Sequence, residues 1–85
     1  MDIREIESME ELGKFQAEVT EVEVNLIKFA DKEEKVFDIR RWKTNTNGHK
    51  EPLEGISLTV DEFEELKEVL DSIKIGRPVS ITKYI

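Results

Sequence analysis

The sequence predicts an α+β domain in which antiparallel strands come first and one amphipathic helix follows. Three observations carry this reading: a period-two alternation of apolar and polar residues from Phe15 onward, a polar turn after which the alternation resumes, and a complete helix start at Thr59. A chain of 85 residues suits a single domain, because each domain must enclose its own apolar core. It divides into a short N-terminal helix or arm (1–13), a sheet and helix core (14–75) and a C-terminal extension (76–85). So small a domain buries a modest share of its surface, and the sequence has no cysteine for a disulfide or a thiolate metal site. Burial against a second copy is the expected substitute.

The elements follow in order. Ser8-Met9-Glu10-Glu11 has the form of a capping box, and Gly13 limits any helix there to little more than a turn. Phe15, Ala17 and Val19 then share one side of an extended segment, with Gln16, Glu18 and Thr20 on the other. The apolar phase shifts by one at Val22, Val24 and Leu26, which requires a bulge or a break into a second strand near Thr20-Glu21. This strand runs to Phe29, residues 30–34 form a polar turn, and residues 35–42 return as the other arm of a hairpin. Residues 44–48 are rich in Asn, Thr and Gly and read as an exposed loop, while Pro52 argues against a central strand nearby. Residues 55–58 form a short strand.

Thr59 is a natural N-cap, with Glu62 at the reciprocal position and Leu58 placed to staple onto Phe63. Phe63, Leu66, Leu70 and Ile73, with Val69 beside them, make an apolar stripe opposite an acidic face. That stripe exceeds what one thin sheet covers, so these five residues are the expected dimer interface. Gly76 is the expected helix stop, and residues 79–85, freed by Pro78, alternate like one more strand.

Charge is unevenly placed. The chain carries a net charge of −7, yet residues 35–50 hold five basic residues and one acidic one. Such a run is either a solvated face or a binding surface for polyanions. No apolar run approaches a membrane span and the N-terminal residues lack a signal-peptide layout, so a cytoplasmic protein with no membrane partner is expected. Catalysis is not expected. His49 is the one histidine and lies in the loop, the carboxylates lack calcium-loop spacing, and the isolated glycines make no phosphate cradle, so neither metal nor cofactor is implied.

Residues 37–42 are the most informative. Alternation sends Asp38, Arg40 and Trp42 to one face of a strand and Phe37 and Ile39 to the other. With Phe37 and Ile39 under the helix, the indole and the guanidinium stand about 7 Å apart on the opposite, exposed face. A base stacks on an aromatic plane while Arg meets phosphate, which is how single strands are held without sequence readout. The same residues also fit a plain structural role, with Trp42 packed over a neighbouring strand and Arg40 paired with Asp38.

The strings DIRRW and GISLT, followed by the capped helix with Phe63, Leu66 and Leu70, resemble the C-terminal DNA-binding domain of the transcriptional coactivator positive cofactor four, and most closely its bacterial YdbC-like branch. The likeness spans residues 22–74. It implies a curved four-stranded antiparallel sheet followed by a C-terminal helix, assembled as a two-fold dimer whose strands form channels for single-stranded DNA, with RNA as a further candidate. It also implies a place at the bacterial nucleoid beside transcription or replication proteins. Arg40 and Trp42 match the family's DNA-holding positions, with Phe29 and Lys35 on the preceding hairpin; Lys28, Lys43 and Lys50 are added as phosphate contacts by proximity. The extension beyond Ile75 is open to three roles: an extra edge strand, exchange between subunits, or a cover for the channel. The competing reading is a dimeric protein-protein adaptor that uses its acidic surface and exposed strands.

Overall fold

The computed structural model describes residues 1–75. A 3₁₀ turn (Ile3–Glu5) leads into β1 (Ile6–Ala17), β2 (Thr20–Phe29), β3 (Val36–Thr44), β4 (Lys50–Leu58) and α1 (Val60–Ser72). The strands pair in sequence order, each antiparallel to the next, as an open curved sheet, so β1 and β4 are its edges. This is the architecture the sequence predicts. The expected strand over residues 79–85 lies outside the described residues, whereas the expected helix stop at Gly76 is corrected, since α1 ends at Ser72 and Ile73 is already extended.

Four boundaries differ from expectation, each for a physical reason. The capping-box pattern at Ser8 to Glu11 belongs to β1, where Ser8, Met9, Glu10 and Glu11 pair with Lys28, Ile27, Leu26 and Asn25; the long ladder outweighs a local signal worth one helical turn. The only helical piece of the N-terminal arm is the 3₁₀ turn, capped by Asp2. The break between β1 and β2 falls at Glu18-Val19, where Ala17 opposes Thr20 and Glu18 takes a φ of 60°. β4 begins at Lys50 and carries Pro52, which an edge strand tolerates because its N–H need not serve the ladder. Finally, α1 stops at Ser72, and Ile73 closes it with an N–H to Leu70 O at 3.2 Å.

Helix α1 begins as its sequence dictates. Thr59 Oγ1 accepts from Glu62 N at 3.2 Å, and Glu62 Oε1 accepts from Thr59 N at 2.9 Å. The cap aims the first turn at β3, where the Phe63 ring stacks on Phe37 with centroids 4.1 Å apart and planes 7° from parallel. Phe37, Ile39, Ile56 and Leu58, continued by Val22, Val24 and Leu26, form the apolar face of the sheet. The helix packs against the β3–β4 side of this face. Val69, Leu70 and Ile73 remain more than half exposed, as do Phe15 and Ile56.

The sheet is bent by irregularities in its ladders. Register shifts occur in β1 between Ile6 and Ser8 and between Glu11 and Gly13, and between β3 and β4 around Arg40 and Trp42, where Leu53 and Glu54 stand opposite Arg41 alone. Such bulges increase local twist. Just before this bulge β3 and β4 come close at Arg40 and Gly55: a Cβ on Gly55 would lie 2.0 Å from Arg40 Cβ, so only glycine fits.

Candidate nucleic-acid interface

The second face of the sheet is polar, and it is the more buried one. β2 contributes Glu21, Glu23, Asn25 and Ile27, which sit opposite Trp42, Arg40, Asp38 and Val36 of β3. Glu23, Asn25, Ile27 and Asp38 are at most 1% exposed, Trp42 is 4% exposed and Arg40 9%. The expectation of an exposed indole and guanidinium is therefore corrected: curvature folds this face inward over its own side chains. Placing Arg40 and Trp42 together, opposite Phe37 and Ile39, is correct.

Burial here is tolerated because charges are paired. Arg40 donates from Nε to Asp38 Oδ1 at 2.7 Å and from Nη2 to Asp38 Oδ2 at 2.8 Å, a bidentate fork, and Ser57 Oγ adds a bond to Oδ2 at 2.7 Å. Its remaining Nη1 donates to Leu53 O at 2.8 Å. That carbonyl belongs to the bulge, so Arg40 serves a backbone group in the stretch where the ladder is interrupted. A second pair joins Lys50 Nζ to Glu23 Oε2, while Glu23 Oε1 accepts from Asn25 Nδ2 at 3.2 Å. Lys50 Nζ also lies 5.2 Å from the centroid of the Trp42 ring, a cation–π contact. Among the described residues two buried side-chain atoms have no hydrogen-bond partner, Trp42 Nε1 and Asn25 Oδ1.

The candidate contacts separate by strand parity. Phe29, Arg40, Trp42 and Lys50 share the polar face, and Phe29 and Arg40 line a recess of about 370 Å³ with Ser57, Asp31, Lys32 and the N-terminal turn. Lys28 and Lys43 have the opposite parity to Trp42 in their strands, and Lys28 Nζ lies 3.7 Å from Glu7 and donates to Phe29 O. Lys35 is exposed in the turn ahead of β3. Neither Lys35 nor Lys43 forms an ion pair among the described residues. Arg41, the other arginine of the DIRRW string, turns away to Thr20 Oγ1 at 2.9 Å and Glu54 at 3.6 Å.

Sequence reasoning missed Glu23, Asn25, Ser57 and Gly55, which hold or flank the cluster. The available signal was the run of polar residues at odd positions of β2, Glu21, Glu23 and Asn25, in an otherwise apolar strand. At the rim of the recess, hydrogen bonds from Arg4 hold the Asp2 carboxyl below the usual carboxylate range and raise the Arg4 guanidinium above its own. This cap is complete above the ordinary Asp range and is lost as pH falls through the lowered value.

A strongly curved four-stranded sheet with a capped helix behind it, and an Arg and a Trp on its other face, narrows the relatives to be considered. The family model of the Transcriptional Coactivator p15 (PC4) matches residues 18–69. The chain belongs to the PC4 family. The match begins at the β1–β2 turn and ends within α1, so it takes in β2, β3 and β4, the strands that carry the Arg40 and Lys50 pairs. Membership in the PC4 family supports DNA binding of the transcriptional-coactivator type as the class of function. Searches of curated proteins and of solved structures give no match. Among the described residues no helix is long and apolar enough to cross a membrane, and no cluster of three or more metal-ligating side chains occurs.

Proposed function

We propose that the chain is a single-stranded DNA-binding protein of the coactivator type, working as a homodimer, with little sequence preference and without catalysis. The observation that supports it most is the Arg40, Trp42 and Lys50 constellation on one sheet face, within the segment that carries the family. A planar indole beside cationic groups suits a ligand that offers a base face and a phosphate on each repeat unit. The dimer rests on the apolar side: Val69, Leu70 and Ile73 are more than half exposed, and Leu66 and Phe63 lie beside them on the same helix.

A specific observation favours a second reading. Arg40 and Lys50 on the polar face are already paired with Asp38 and Glu23, and the chain as a whole is acidic, which suits a protein-protein adaptor of the same fold. Labelled oligonucleotides at two salt concentrations separate the two readings. The proposal expects a single strand to bind more tightly than its duplex and salt to weaken it. Equal affinity for both forms, or none for either, favours the adaptor.

A further inference from the structure

Lys50 and Glu23 come from strands on opposite sides of β3. Lys50 belongs to β4 and pairs across the ladder with Thr44, whereas Glu23 belongs to β2 and sits opposite Arg40. Their ion pair therefore crosses over β3, and on its way the Lys50 ammonium lies above the Trp42 ring. Among the described residues no hydrogen bond anchors the indole at Nε1, and the Lys50 ammonium is the charged group set over its ring. The two ends differ: the Glu23 side chain is 1% exposed and fixed by Asn25, whereas that of Lys50 is 40% exposed. The lysine end is the one free to leave.

We propose that Lys50 is a strap that occupies the base-stacking face of Trp42 in the free protein and passes to a phosphate when a strand binds. The inference rests on the single-strand reading above and assigns Glu23 a role as the holding residue. A base cannot stack on Trp42 while an ammonium covers the ring, and the ammonium leaves its carboxylate readily only for another anion. A ligand with both a base and an adjacent phosphate supplies the two together, because the phosphate takes over Lys50 as the base takes its place. The strap thus selects against uncharged aromatic ligands and against bare anions, each of which supplies half of the exchange.

Trp42 is the one tryptophan in the sequence, so its emission reports the strap directly. The test uses the full chain, with Lys50→Ala and Glu23→Gln as variants, each checked for parental circular dichroism. In the absence of nucleic acid, both variants are expected to raise acrylamide quenching of Trp42, and Lys50→Ala to shift its emission to the red. Lys50→Ala should bind an uncharged peptide-backbone oligomer about two- to fivefold more tightly than the parent, the range a cation–π contact of this kind represents. For the phosphodiester oligonucleotide of the same base sequence it should lower the salt slope by about 0.7. Unchanged emission and quenching in both variants overturns the strap, as does a Lys50→Ala chain that loses affinity for both oligomers alike. A parent that binds neither oligomer overturns the single-strand reading, and the quenching measured without nucleic acid still decides whether Lys50 covers Trp42.

Discussion

The two faces of the sheet invert the usual arrangement. On the polar face Glu23, Asn25, Asp38 and Arg40 are buried almost completely, whereas on the opposite side Phe15, Ile56, Val69, Leu70 and Ile73 stay more than half exposed. The polar face satisfies itself through curvature and cross-strand pairs. Among the described residues the apolar face has one short helix over part of it and no further layer. The difference teaches that the two faces reach their exposure by separate routes. Among the described residues the apolar side is left partly uncovered, and the polar side already holds its own counter-charges.

The largest expected effects break one face at a time. Asp38→Ala removes the carboxylate that accepts two bonds from Arg40 and one from Ser57, leaving a buried guanidinium unpaired. A loss of about 3–5 kcal/mol in denaturant unfolding is expected. Phe37→Ala, on the other face, removes the ring stacked on Phe63 and should cost a similar amount, about 3–5 kcal/mol. If the Asp38 variant is as stable as the parent, the polar face is not held by its ion pairs.

Leu70→Asp probes the partly uncovered apolar side. It places a charge within the stripe while leaving Phe63 on Phe37, so the chain should stay folded and light scattering at micromolar concentration should fall from dimer to monomer mass. A monomeric parent would show instead that the exposed stripe is not a dimer interface. Thr59→Ala is the mildest change. It removes one half of the capping box and should lower stability by about 1 kcal/mol without altering binding by the other face.

What the sequence made legible is what local chemistry decides. The α1 start needs only Thr59 and Glu62, three residues apart, and the facing of Asp38, Arg40 and Trp42 needs only the alternation of one strand. The N-terminal strand was hidden because Ser8 to Glu11 satisfies a helix pattern locally, and only the ladder to β2, closed through the Glu18-Val19 turn, overrides it. The burial of Trp42 and Arg40 was hidden for a similar reason. It depends on bulges that curl the sheet and on a pair, Glu23 with Lys50, that forms only when β2, β3 and β4 are assembled. Arg40 shows the consequence: two of its donors serve Asp38 and a third serves Leu53 O, so it shapes the site before it meets any ligand.

The central claim is that the polar face receives single-stranded DNA on Trp42. Because the sequence has one tryptophan, titrating the parent protein with an unlabelled oligonucleotide and following its emission tests this directly. The account predicts saturable quenching by the single strand, weak quenching by the matching duplex, and a Trp42→Ala variant that binds more weakly by about 1–3 kcal/mol with its salt slope nearly unchanged. Binding that leaves the emission of Trp42 untouched, with parental affinity in the Trp42→Ala variant, would place the nucleic acid elsewhere and contradict the claim.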